Sequence, residues 1–189
     1  MNGAATRRAA LARLSLPAAL AIAFAAAPYA FGTQHVPDYS GTALFGKTAA
    51  DTLPLKSWLA TGLLVLAALQ LALAFWMYGK LPRIAAARAS IGKLHRAVGI
   101  AAIALSLPIA YHCAFAYGVR TNVDARVAVH SLAGCFLYGA IAAKVAVVRL
   151  GRFPGWVLPM AGGTLVTLVV ALWYTGALWY FNGYSLPSL

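Results

Sequence analysis

Residues 127–148 read VAVHSLAGCFLYGAIAAKVAVV, a run of 22 residues in which Lys144 is the one charged side chain. An α-helix needs about 20 apolar residues to cross the hydrocarbon core of a bilayer. The segment therefore predicts a membrane-spanning helix. Asp124 lies just before it and belongs to a residue type that caps helix amino termini, which predicts where the helix begins.

Four other apolar runs of similar length predict further spans, so the chain is predicted to be all-α, an integral membrane bundle of about five helices. The predicted helices are about 9–31, 58–78, 94–117, 127–148 and 156–181. Gly79 follows the second and Gly118 the third, and glycine commonly ends a helix. Apart from the loop 32–57 only short connections remain, so residues 1–189 are predicted to form a single multipass domain.

The composition is typical of a protein whose partner is the lipid bilayer. Hydrophobic residues make up 62% of the chain and charged residues 10%, against a soluble average of about 25% charged. The net charge of +12 is carried by residues between the apolar runs. That pattern indicates topology signals and not a nucleic-acid surface. We therefore expect a multi-pass protein of the cell membrane that binds no nucleic acid.

The distribution of basic residues predicts that the amino end is cytoplasmic. With that orientation, eleven of the 15 lysines and arginines fall on the cytoplasmic side, as the positive-inside rule requires. The eleven are Arg7, Arg8, Arg13, Lys80, Arg83, Arg88, Lys93, Arg96, Lys144, Arg149 and Arg152. The remaining four are Lys47, Lys56, Arg120 and Arg126. The loop 32–57 is then extracytoplasmic.

The first run also has features of a secretory signal. Basic residues precede its apolar core, and Ala25, Ala26 and Ala27 form a small-residue cleavage pattern. Pro28 lies next to the candidate cut, and the apolar character continues to Phe31. Both observations favour a helix that is retained.

The sequence shows no nucleophile constellation, carboxylate pair or phosphate-binding loop, so no catalytic residue is predicted. Polar side chains inside a membrane point to function by default. Three histidines, His95, His112 and His130, are among the few that fall in the predicted spans.

His112 and His130 are predicted at one depth, on different helices. Each is six residues from the outer end of its helix, near Gly118 and Asp124 respectively, or about 9 Å at 1.5 Å per residue. Two imidazoles at one level can ligate a haem iron from both faces, so these two are the predicted metal ligands of a haem b. Gly134 lies one turn after His130, where a missing side chain would clear the helix surface for a flat macrocycle.

His95 is likewise followed one turn later by Gly99. The stretch 94–99, with His112 and His130 to Gly134, resembles the ferric-reductase-like b-type transmembrane cytochromes. Over nearly the whole chain the sequence resembles an uncharacterised family of multipass membrane proteins from high-GC bacteria. The second likeness extends through residues 55–61, 111–113, 154–159 and 177–179. The resemblance to the cytochromes implies haem binding and electron transfer. The resemblance to the uncharacterised family implies a fold but no activity.

Several alternatives stay open at these positions. His95 and His112 are seventeen residues apart, whereas the cytochromes use about fourteen, which favours an interfacial role for His95. His112 and His130 could instead form a hydrogen-bonded structural pair, or bind copper with Cys113 or Cys135. His35, in the outer loop, would cap an outer haem if that loop folds inward. A haem between the third and fourth helices also requires this hairpin to be splayed, because packed helices lie about 8–10 Å apart.

The sequence therefore favours a membrane b-type cytochrome that exchanges electrons with an extracytoplasmic redox protein. Whether the chain is itself an enzyme or an electron-transfer component of an oxidoreductase stays open. The rival hypothesis is a non-catalytic membrane anchor or assembly subunit of a larger complex. A transporter has less support, since no matched pair of broken helices is evident.

Overall fold

The computed structural model of the chain describes residues 3–38, 44–82, 85, 88–151 and 153–186. Five long helices account for most of this part of the chain, and no strand occurs in it. The helices are α1 (Gly3–Gln34), α2 (Ala49–Met77), α3 (Ala89–His112), α4 (Ala125–Leu150) and α5 (Val157–Trp173). Two of them continue in wider π-helical turns, at Cys113–Tyr117 after α3 and at Tyr174–Leu178 after α5. The predicted all-α architecture with five helices is confirmed.

The five helices, taken with the turns that follow α3 and α5, provide five stretches long and apolar enough to cross a membrane, as the prediction of about five apolar helices requires. These stretches are Ser15–Gln34, Ala50–Met77, Ala89–Tyr117, Ala125–Leu150 and Val157–Phe181, with mean hydropathies from 1.5 to 2.1. The cytoplasmic placement of the amino end stays a prediction. Arg83 and Arg152, which contribute to its charge count, lie outside the described residues, as do residues 39–43 of the predicted outer loop.

Helix α2 begins at Ala49, nine residues before the predicted start at residue 58. The cause is a capping arrangement at Thr48. Its hydroxyl oxygen accepts from the backbone N–H of Asp51 (3.3 Å), which also donates to the Thr48 carbonyl (3.1 Å), and its O–H donates to the Asp51 carboxylate (2.7 Å). These bonds fix the first turn of the helix. Lys56, which the sequence placed in the outer loop, is therefore a helical residue.

The predicted cap of α4 is confirmed. The Asp124 carboxylate accepts from the backbone N–H of Val127 at 2.8 Å. Gly79 and Gly118 adopt φ values of 63° and 67° where α2 and the π turn after α3 end, a conformation that glycine reaches without the strain of a Cβ atom.

The helices pack in an order that differs from their order in the chain. Helix α1 packs on α4, α4 on α5, α5 on α2, and α2 on α3, while the π turn after α3 returns to α1. The backbones of consecutive helices α3 and α4 do not pack against each other, but the hydroxyl groups of Ser106 on α3 and Tyr138 on α4 meet at 3.1 Å. Room for a haem between these helices stays a prediction. At the centre, Leu63, Ala67, Leu137 and Val169 form the buried core.

The contact between α1 and α4 is a close one. A Cβ atom added at Gly139 of α4 would collide with the carbonyl oxygen of Ala21 and reach 3.0 Å from the Ala25 methyl group. Small residues permit such backbone approach between helices in lipid. We call the end of the bundle at which α1, α3 and α5 end and α2 and α4 begin the upper end.

Candidate functional site

His112 and His130 both lie at the upper end of the bundle. His112 is the last residue of α3, and His130 lies in the second turn of α4. Lys56 contacts His112 directly, whereas His130 bonds to Thr175. The two histidines that the sequence selected therefore lie at the same end of the bundle, each with a different partner.

Lys56 is enclosed, with 7% of its surface exposed. Its Nζ atom lies 3.2 Å from Nδ1 of His112, 3.9 Å from Sγ of Cys113 and 4.0 Å from the ring centroid of Tyr117. Within the described part of the chain no carboxylate contacts Lys56. A buried lysine without a carboxylate partner is costly inside a membrane, which makes this position a candidate functional one.

The tautomer of His112 is coupled to the charge state of Lys56. A protonated Lys56 amine has donors and no acceptor, so Nδ1 of His112 would then accept and the ring proton would be on Nε2. A neutral Lys56 amine has a lone pair and could instead accept from an N–H at Nδ1 of His112.

The hydrogen bonds of Thr175 fix the tautomer of His130. The Thr175 hydroxyl donates its one proton to the backbone carbonyl of Ala171 at 2.6 Å. Its oxygen, 2.9 Å from Nδ1 of His130, must therefore accept. Nδ1 of His130 carries the ring proton, and Nε2 carries a lone pair that has no partner among the described residues.

The π turn of α5 holds the His130 ring in place. A Cβ atom at Gly176 would lie 2.8 Å from Cε1 of His130, so only glycine lets the imidazole rest on this backbone. Arg126 donates to the carbonyl oxygen of Thr175 at 3.0 Å and stacks over the Trp179 ring at 3.9 Å. The backbone around Thr175 is thereby bonded to α4 through Arg126, one turn before His130.

Two π turns occur in the described part of the chain, and both border this site. Cys113–Tyr117 directly follows His112, and Tyr174–Leu178 includes Thr175 and Gly176. π-helical turns are rare and occur frequently at functional sites. Their coincidence with the two histidines supports a functional role for the upper end.

Gly99 and Gly134, one turn after His95 and His130 respectively, each face a side chain of a neighbouring helix. A Cβ atom at Gly134 would lie 3.9 Å from Leu172 of α5, and one at Gly99 would lie 3.3 Å from Nε2 of Gln70 on α2. The structure thus places side chains of other helices beside both glycines. Clearance for a macrocycle at Gly134 stays a prediction.

His95 lies at the opposite end of α3 from His112, about 25 Å away at 1.5 Å per residue. Its carbonyl oxygen accepts from the side-chain amide of Gln70. Its Nδ1 is the one fully enclosed side-chain nitrogen or oxygen without a partner among the residues described, and the Lys144 charge acts on the ring. The structure does not bring His95 together with the upper site.

His35 follows α1 at the upper end, but aromatic rings surround it. Its ring centroid is 5.8 Å from that of Phe31 and 6.3 Å from that of Phe115. Its participation in a haem site stays a prediction. For copper, no group of three or more His, Cys, Asp or Glu side chains that could hold a metal ion occurs in the part of the chain described.

Two residues of the site were missed from the sequence. Lys56 was counted as a charge of the outer loop, although the pair Thr48 and Asp51 is a helix-start signal that would have placed it on α2. Thr175 was not considered, because its partnership with His130 depends on which helix packs against α4. No local signal reveals that.

The comparisons with known proteins add a family but no activity. No curated protein and no solved structure matches the chain. The profile of a family of unknown function, DUF6529, matches residues 14–188. That match covers all five candidate membrane spans, and the chain belongs to the family of unknown function DUF6529.

Proposed function

We propose that the chain is a membrane electron-transfer protein of the b-type cytochrome kind, with a haem held at the upper end. The observation that carries the proposal is the state of His130. Its Nδ1–H is bound to Thr175, and its Nε2 lone pair is free. A histidine that ligates a metal in proteins has this arrangement, with the second ring nitrogen donating to a fixed acceptor.

The surroundings of His130 also suit a haem. The backbones of α3 and α4 do not pack against each other, which supports a group bound between these helices, although Ser106 and Tyr138 bridge them further in. Lys56 and Arg126 would supply positive charge to the carboxylates of the group, and no described carboxylate competes for Lys56. When bound, a haem supplies one-electron redox chemistry. The chain's own contribution is to hold the His130 ring through Thr175 and Gly176 and to exclude lipid from it.

The predicted orientation indicates on which side of the membrane the redox partner would lie. If the amino end is cytoplasmic, the upper end faces the outside, and the redox partner is an extracytoplasmic protein. The aromatic side chains Trp58 and Phe181, 5.2 Å apart by ring centroids, lie at this end at the level where such rings favour the lipid headgroups.

The rival function is that of a membrane anchor or assembly subunit. The observation in its favour is that both histidines already have partners within the chain, Lys56 and Thr175. Histidines that serve only to join helices would show the same bonds.

An absorption spectrum separates the two functions. The protein is purified from cells supplied with haem, together with His130→Ala and, as a matched control, His95→Ala. We expect a haem Soret band in the unmodified protein and in His95→Ala, and its loss in His130→Ala while the bundle still inserts. A correctly inserted protein without haem would favour the anchor function. Loss of the band in His95→Ala alone would place the cofactor at the other end of the bundle.

A further inference from the structure

The lower end of the bundle, at which α2 and α4 end and α3 and α5 begin, carries positive charge that no acidic residue of the chain balances. The three acidic residues are Asp38, Asp51 and Asp124. They follow α1 or lie at the starts of α2 and α4, all at the upper end. The described basic residues of the lower end are Lys80, Arg88, Lys93, Arg96, Lys144 and Arg149. Because arginine stays protonated in proteins, this end is electropositive.

Exposed aromatic side chains indicate where the lower end meets the lipid headgroups. Tyr78 follows α2 and Trp156 precedes α5, with 47% and 66% of their surfaces exposed. Tyrosine and tryptophan side chains favour the headgroup layer of a membrane. The basic side chains at the same helix ends therefore lie at the level of the lipid phosphates.

Two polar side chains lie further inside the bundle at this end. Lys144 is six residues before the end of α4 and His95 is six residues after the start of α3, each about 9 Å in at 1.5 Å per residue. They are close enough to interact electrostatically. Nδ1 of His95 is enclosed without a partner, and no carboxylate contacts Lys144 within the residues that the structure describes.

A ligand can reach Lys144 and His95 from the headgroup layer. Both side chains are partly exposed, so contact with them does not require α3 and α4 to separate. The hydroxyl bridge between Ser106 and Tyr138 lies further in and would stay intact. Basic residues that only set topology lie in the connections between spans, whereas a lysine within a span is costly unless it has a partner. A lipid phosphate is an anion available at this depth.

We infer that the lower end of the bundle binds an anionic phospholipid, whose phosphate lies against the side chains of Lys144, His95 and Arg96. Lysine and arginine donate charge-assisted hydrogen bonds to phosphate oxygens. Basic pockets between helices at a membrane surface bind phospholipid headgroups in this way. The inference is independent of the haem, which is proposed for the opposite end.

The first test measures lipid binding by the purified full chain in a neutral detergent. Phosphatidylglycerol and phosphatidylcholine with the same acyl chains are titrated in parallel, and native mass spectrometry and the unfolding temperature report binding. We expect phosphatidylglycerol to bind more tightly and to raise the unfolding temperature more. This preference should weaken at high salt, because salt screens charges near the surface. Equal effects of the two lipids would overturn the inference.

Charge-removing variants locate the site. Lys144→Gln should weaken phosphatidylglycerol binding about fivefold, the effect of one basic residue beside an anionic headgroup. Arg96→Gln, at an exposed position of α3, should weaken it similarly and carries the test if Lys144→Gln fails to fold. Lys47→Gln removes the same charge from an exposed position of the upper end and should bind like the parent. Equal weakening by all three variants would show a general effect of net charge and no site at Lys144.

A water-soluble headgroup tests whether the ligand is a lipid. Glycerophosphoglycerol carries the same phosphate diester as phosphatidylglycerol but has no acyl chains. We expect it to leave phosphatidylglycerol bound even when it is added in large excess. Displacement of the lipid at equal concentration would mean that the site takes a soluble phosphate ester, and the assignment to a phospholipid would be wrong.

Discussion

Replacement of Thr175 by valine tests whether the chain holds His130 for a ligand. Valine has nearly the shape of threonine, so the change removes one hydroxyl and little volume. In the unmodified protein this hydroxyl, in a residue with 6% of its surface exposed, accepts from Nδ1 of His130 at 2.9 Å. Without it the Nδ1–H is left in an apolar setting with no acceptor.

The expected magnitude follows from that orphaned donor. A buried polar group that loses its partner costs about 1–3 kcal/mol, and changes to groups that orient a metal ligand lower affinity about 10- to 100-fold. We therefore expect Thr175→Val to lower the free energy of unfolding of the haem-free protein by about 1–3 kcal/mol. Haem should dissociate faster by a factor in the range of about 10 to 100.

The assays are thermal unfolding in one detergent and transfer of haem to an excess of a haem-binding acceptor protein. Thr164→Val is a matched control, because the Thr164 hydroxyl makes the same bond to a carbonyl one turn back, Met160 at 3.0 Å, on an exposed part of α5. If both variants behave alike in both assays, Thr175 does not orient His130 and the reasoning fails. An effect on unfolding without one on haem transfer would show that the bond serves only to pack α4 on α5.

Two further predictions concern the fold and its placement. If the upper end is outside, a cysteine at the exposed position Lys47 should react with a membrane-impermeant maleimide in intact cells, whereas reaction only after permeabilisation would reverse the orientation. Gly139→Ala should lower the free energy of unfolding by about 1–3 kcal/mol through overpacking against Ala21, while Gly162→Ala, where nothing lies within 4 Å of the added atom, should be neutral or stabilising. Equal stabilities of these two variants, measured by thermal unfolding, would mean that α1 and α4 do not pack as closely as described.

The five helices could be predicted because hydropathy is a local property of each segment. The cap at Asp124 and the glycines that end α2 and the turn after α3 are local too. The start of α2 was placed too late because Asp51 and Lys56 interrupt the apolar character that marks a span. Its true start depends on the bonds between Thr48 and Asp51, a signal that short-range capping rules could have supplied.

The site could be predicted only in part. Its histidines stand out in the sequence because they are polar residues inside apolar runs, whereas no sequence signal identifies the residues that bond to them. A short loop between the third and fourth helices suggested that they pack together. Instead α4 packs between α1 and α5, which brings Thr175 to His130 and leaves His112 to Lys56 of α2. Such pairings are decided by the sum of helix contacts over the whole bundle.

The order in which the helices pack has a consequence for biosynthesis. During synthesis α1 enters the membrane long before α4, its principal neighbour, has been translated. Helices α2 and α3, adjacent in both sequence and space, can pair at once, whereas α1 must remain beside the insertion machinery or in lipid until the fourth span arrives. Because contacts between distant parts of a chain form slowly, the docking of the first helix is expected to be the late step of assembly.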